Sequence, residues 1–461
     1  MKTPLSKASL MVLTLAACLS LQSTQAQVST RWKSDAIDHD WQTAGNWSEG
    51  VPGVADTAYI QNGGSAEIHV AVTDIDYLRV GGTPLSQLTI FSSGSLKVTG
   101  SGRTRIGDAA GTLYGLVNVN GGALTGSGRL YIGNSADDSQ GTLTIQNGGT
   151  VSGYSYVGLS VNTQSGQTAT LNIGGASTAA APGWLDAVHV SGFASANPLA
   201  ANVNSVVFNH TGNRYHFTTG PSSTTAVEIR GSTTVSAKAG VTVLSGANTY
   251  TEGTTVAAGA VLLANYMTAS STASSLGTGS VTVASGGTLG GRGHIAGATS
   301  IDGILQPGDD AFGNAEPAHG VLKFANDLTL GATSTTLIAL NGSERETGYD
   351  ALDITGHLTL DGQLKINLME NFSIALNKTE SFQIFNVTGN INGAFDTFEL
   401  PTNWNGLDLQ WDTSVLSTTG MISVTAIPEP STMALVGMAV AIFGLAAGRR
   451  LRSQNSFPSL Y

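Results

Sequence analysis

One cysteine, Cys18, occurs in 461 residues, and it falls near the start of the chain. A disulfide framework and thiol chemistry are therefore excluded from the body of the protein. Charge is scarce as well: 11 % of residues are Asp, Glu, Lys or Arg, with a formal net charge of −11. No run of cations is present to neutralise phosphates, so nucleic acid is not expected as a partner, and an anionic polymer is disfavoured. Helical periodicity is missing. Glycine, with 59 residues, recurs every few positions, where each would destabilise a helix by roughly 1 kcal/mol. Disorder through high charge and low hydrophobicity is excluded, because 41 % of residues are apolar.

What is there begins with an export segment. Lys2 and Lys7 precede the apolar stretch Leu10 to Ala17, and Thr24-Gln25-Ala26 offers small residues for cleavage before Gln27. Residues 1–26 are accordingly expected to be a signal peptide. Leu15-Ala16-Ala17-Cys18 also resembles a bacterial lipobox, in which Cys18 would carry lipid. The alternative is that Cys18 is a small apolar residue of the signal core.

Residues 86–178 repeat. "LTIFSSGSLKVTGSGRTRIGD", "LVNVNGGALTGSGRLYIGN" and "LTIQNGGTVSGYSYVGL" align on Leu88, Leu116 and Leu143, and a partial copy starts at Leu171. The leading residues are 28, 27 and 28 apart, a period typical of solenoids. Each unit alternates apolar and polar residues, breaks at Gly-Gly, and resumes. The pattern predicts an all-β parallel β-helix over 86–310, with 27–85 as an N-terminal cap and first coils around Trp41, Trp47, Pro52 and Asp56. Residues 179–240 are less regular.

From Leu244, "LSGANTYTEGTTV", then "GSVTV", "GGTLGG" and "LQPG", resemble the autotransporter-associated β-strand repeat over about 241–310. The resemblance implies a right-handed parallel β-helix like that of autotransporter passenger domains. "GYDALDITGHLTLDGQLKIN", with Tyr349, Asp350, Leu352, Ile354 and Gly356, resembles segments that close such helices, so 311–426 is expected to form a C-terminal capping β region. Too few residues follow Thr425 for even a small outer-membrane barrel.

The tail reads Pro428-Glu429-Pro430, an apolar run from Met433 to Gly448, then Arg449, Arg450 and Arg452. As a helix the run rises about 24 Å against a hydrocarbon core of about 30 Å, a short span that tilt or bilayer thinning would accommodate. The arginines would stay cytoplasmic. This order of parts over 427–452 closely resembles the PEP-CTERM sorting signal. The resemblance implies recognition by an exosortase, a membrane transpeptidase-like enzyme, with release or re-attachment at the cell surface. Residues 453–461 run beyond the point where such signals usually stop.

Candidate chemistry is sparse. Asp309-Asp310 and Asp137-Asp138 could serve as acid–base pairs or calcium ligands, but both sit in turn sequences that favour solvated loops. His210 and His216 are the nearest histidines and lack a zinc-type partner pattern. No Gly-x-Ser-x-Gly elbow marks a nucleophile. No catalytic residue, metal site or cofactor is expected. Arg103, Arg129 and Tyr154 precede an Ile-Gly or Val-Gly pair at spacings of 26 and 25, which predicts an outward file able to contact an extracellular polysaccharide, or merely to cover the turns. The expected function is an exported structural or adhesive surface protein. The alternative is a β-helical polysaccharide lyase or hydrolase.

Overall fold

The computed structural model describes residues 27–100, 103–107, 114–133, 138–160, 165–195, 201–267, 274–308 and 319–428. The signal segment with Cys18, Asp137, the Asp309–Asp310 pair, and Glu429 onward, including the expected membrane helix, lie outside them.

Successive short strands fall on different faces, and each pairs in parallel with a strand from the preceding turn of chain. One face is a nine-stranded parallel sheet: Ser29–Arg31, Thr57–Ile60, Tyr77–Val80, Arg103–Ile106, Arg129–Ile132, Tyr156–Leu159, His189–Gly192, Glu228–Gly231 and Thr249–Tyr250. A second face runs from Ser65–Ile68 through Tyr114–Asn120 and Gln140–Gln146 to Ile391–Gly393. A third carries Ser95–Val98, Ala123–Gly126, Thr150–Tyr154 and Trp184–Ala187. The 11-residue strand Thr234–Leu244 contributes to two faces, pairing with Gly253–Val256 through one end and Ala260–Ala264 through the other. The chain is thus all-β with stacked parallel sheets, consistent with a β-helix. Among the described residues the sole α-helix is Leu416–Thr419, and no helix is long and apolar enough to cross a membrane.

The core follows from the period-2 pleat. On the second face Leu88, Val117, Leu143, Leu171 and Val206 stack in one inward file, and Ile90, Val119, Ile145, Ile173 and Phe208 in the next. All ten are fully buried, each contributing about 1.5–3 kcal/mol. The register corrects the repeat alignment at one point. Val117, not Leu116, lies opposite Leu88 and Leu143, while the half-exposed Leu116 faces outward between Gln87 and Thr142. In "LVNV" either phase begins on an apolar residue, and only the second places two apolar side chains inside.

The Gly-Gly turns have two separate demands. Gly121 and Gly148 adopt φ of 78° and 77°, the left-handed region. Their successors have no room for a side chain: a Cβ on Gly149 would lie 2.3 Å from the Val119 carbonyl of the preceding rung. Rung length is unconstrained by comparison. Leu171 pairs with Leu143, 28 residues before it, and with Val206, 35 residues on, so the irregular 179–240 stretch still stacks in register with longer loops.

The ends are closed differently. At the N-terminal end, Trp32, Trp41 and Trp47 meet edge to face at 5.0 and 4.8 Å, and Trp47 Nε1 donates to the Trp41 carbonyl at 2.8 Å. Trp32 belongs to this cluster although its sequence context gave no hint of it. At the C-terminal end Thr379–Gln383, Met421–Ile427, Leu407–Asp412 and Asn403–Trp404 form an antiparallel sheet. Phe372, Phe382 and Trp404 pack there. Buried Asp350 accepts backbone N–H groups from Gly320 at 3.1 Å and Ala339 at 3.2 Å, joining strands of neighbouring rungs. Replacing Trp47 by alanine removes the centre of the N-terminal cluster. Urea unfolding followed by tryptophan fluorescence is expected to report a loss of about 3–5 kcal/mol. A loss under 1 kcal/mol would mean that the cluster does not close the core.

Candidate functional site

On the nine-stranded face the outward positions form two adjacent columns about 4.8 Å per step. One reads Thr57, Tyr77, Arg103, Arg129, Tyr156, His189 and Glu228. The other reads Arg31, Tyr59, Arg79, Arg105, Tyr131, Gly158, Ser191 and Arg230. Arg31, Arg79, Arg105, Arg129 and Arg230 therefore share one face of a net acidic chain, Arg103 holds a register position on it, and Glu228 is the single carboxylate at these positions. The cations are dispersed at intervals of one rung, so no basic run is visible along the chain. The stripe is created by stacking, and the sequence-based expectation that no basic stripe exists is overturned.

Tyrosine rings alternate with the guanidinium groups. Arg31 lies 5.1 Å from the Tyr59 ring centre, Arg79 is 5.3 Å from Tyr59 and 5.0 Å from Tyr77, and Arg105 is 5.7 Å from Tyr77. Arg129 lies 5.2 Å from Tyr156 and donates from Nη1 to the Tyr131 hydroxyl at 3.3 Å. The hydroxyls of Tyr131 and Tyr156 are 2.8 Å apart, and His189 stacks on Tyr156 at 5.4 Å. Each cation–π contact at such sites contributes about 0.5–1 kcal/mol. The rings thereby offset the repulsion expected where Arg79 sits directly opposite Arg105. The hydrogen bond that Arg129 donates to Tyr131 holds the arginine pKa above its ordinary value. Burial, and then the charge on Arg230, lower that of His189, which is neutral at neutral pH. At the far end Glu228 accepts from Arg230 Nε at 2.9 Å, and the stripe ends charge-compensated.

Of the three residues in the expected file, Arg103 and Arg129 do occupy paired positions. Tyr154 does not. Tyr156 stands opposite Arg129, and Tyr154 is buried in the neighbouring strand, its hydroxyl 2.8 Å from Thr104 Oγ1. Burial pushes the Tyr154 phenol far above its usual range. The error lies in matching Val157-Gly158 to the Ile-Gly pairs. The true equivalent is Leu159-Ser160, where Ser160 adopts φ of 51° in place of Gly107 and Gly133 at 74° and 67°. A shift of two residues leaves the apparent alternation of the sequence unchanged, so alternation could not reveal that a new strand begins at Tyr156.

The sorting segment continues the fold without a spacer. Met421–Ile427 is the last described strand. Its Ala426 is fully buried, Ile427 pairs with Asp408, and Pro428 follows at once. Glu429, Pro430, Arg449 and Arg450 lie outside the described residues. Residues 426–452 match the PEP-CTERM protein-sorting motif. The match supports an exported chain sorted by an exosortase through a membrane-anchored precursor that reaches the cell surface. No curated protein matches the chain.

The remaining polar candidates are structural in setting. Asp138 sits exposed in a turn at φ of 60°. Among the described residues, no three His, Cys, Asp or Glu side chains gather to hold a metal ion. His210 is fully buried. Its Nδ1 accepts the Gly212 N–H at 3.1 Å, which leaves the proton on Nε2 to donate to Thr242 Oγ1 at 2.9 Å. Burial lowers its pKa from 6.5 to about 4. Between those values the unfolded chain binds a proton that the folded chain refuses, so stability falls as pH drops through this window. The full loss is about 3 kcal/mol by pH 4. Urea midpoints measured from pH 7 to pH 4 are expected to decline with a slope that His210→Gln reduces. An unchanged slope in the variant would remove His210 as the cause.

Proposed function

We propose that this is a surface-displayed structural or adhesive protein: a β-helical body, exported by its N-terminal segment and sorted by an exosortase at its C-terminal tail. The observation that carries this reading is the junction at Ile427. There a stacked, ordered body passes directly into a matched sorting motif. In this reading Met433 to Gly448 is a temporary membrane anchor, with Arg449 and Arg450 on the cytoplasmic side. Pro428-Glu429-Pro430 marks the place of processing. The likeness of 241–310 to autotransporter-associated repeats supports a right-handed helix and a passenger-like, extended shape.

Replacing Pro428, Glu429 and Pro430 together by alanine is expected to leave the protein in the inner membrane, while the parent chain appears at the surface or in the medium. Cell fractionation with immunoblotting reads the difference. Equal surface levels of both would refute sorting through this motif. Cleavage of acidic or neutral polysaccharides by the purified protein would instead establish an enzyme.

A further inference from the structure

We propose that the arginine–tyrosine ladder of the nine-stranded face binds a linear acidic polysaccharide, a chain of carboxylated sugars lying along the stacking direction. This deepens the reading above, since only an exported chain would meet such a polymer. Register is the first argument. Arg79, Arg105 and Arg129 stand on three successive rungs about 4.8 Å apart, a step comparable to the length of one pyranose unit, and Arg31 lies two rungs before Arg79. A file of cations that runs along the stacking direction suits an extended polymer more than a compact ligand.

The second argument is chemical. Guanidinium groups present a planar fork that matches carboxylates through two hydrogen bonds. The rings of Tyr59, Tyr77 and Tyr156 offer apolar surface for the faces of sugar rings, and the Tyr156 hydroxyl, held by buried Tyr131, offers a polar tip. These groups are already ordered by their contacts with one another. Arg129 remains exposed even while held by Tyr131 and Tyr156, so binding costs little side-chain entropy.

Charge placement is the third argument. Arg79 and Arg105 are directly opposite, an arrangement of like charges that is unfavourable in isolation and favourable beneath an anion. The four-stranded parallel sheet farther along the chain differs. Its equivalent column mixes His294, Lys323, Asp353 and Asn386, with Asp353 paired to Arg345 at 2.8 Å. Of these two sheets, only the ladder carries a column of cations.

The test uses the protein purified as its cells process it, with polygalacturonate as the probe, its methyl ester as the uncharged counterpart, and dextran and duplex DNA as competitors. Calorimetric titration is expected to show binding of polygalacturonate that weakens as salt rises, with at least tenfold weaker binding of the ester and dextran. Arg105→Ala combined with Arg129→Ala is expected to weaken binding by roughly tenfold or more, the scale of one lost charge-assisted hydrogen bond. Arg129→Lys recovers only part of this loss, and Lys323→Ala on the mixed sheet changes nothing. Thermal unfolding of each variant checks that it is folded, and the exposed Arg129 gives a single substitution that leaves the core intact. Equal affinity for ester and acid, unchanged binding by the folded double variant, or preference for DNA would each overturn the proposal. None of these results bears on sorting, which the fractionation experiment decides alone.

Discussion

The parallel hydrogen-bond register between one rung and the next is the constraint on which everything else in this protein rests. Once Leu88 is fixed opposite Val117 and Val117 opposite Leu143, the pleat decides which side chains enter the core and which face water. A rung alone cannot bury its apolar file, so stability is shared among neighbours. The turns can then vary in length without disturbing the sheets, as the step from Leu171 to Val206 shows. The same rule converts a dispersed sequence feature into a surface. Arginines a rung apart along the chain become nearest neighbours in space.

Stacking also dictates where irregular chemistry is allowed. Gly149 has no space for a side chain because the Val119 carbonyl of the rung before it closes on its Cα. Ser160 bears a left-handed conformation that glycine bears in the two preceding rungs. The open ends, where edge strands would be left unpaired, are covered by three tryptophans on one side and by an antiparallel sheet on the other.

Much of this was legible in the sequence, and the failures have physical causes. The strand-turn grammar, the tandem period and the sorting tail are local signals, and they gave the all-β class, the stacking and the address. Register was read less well, for two reasons. In "LVNV" the strand phase is ambiguous by one residue, and Leu116 was aligned with Leu88 and Leu143 where Val117 belongs. At Tyr154 a glycine-like role played by Ser160 hid a slip of two. Charge was misread for a different reason, because a linear search for basic runs cannot see a column assembled from Arg31, Arg79 and Arg105. Buried ties such as Asp350 to Gly320 and Ala339 join residues far apart in sequence and leave no local mark.

The last strand has a mechanical meaning. Met421–Ile427 lies between Thr379–Gln383 and Leu407–Asp412, with five register pairs to each neighbour, and both pairings are antiparallel. Any pull applied through Pro428 runs along this strand and loads both ladders in shear, many hydrogen bonds at once. A strand at an edge, or one peeled sideways, would yield bond by bond. The tail is thus tethered to the element best placed to bear tension, so the body can be drawn by its C-terminal end and keep its shape.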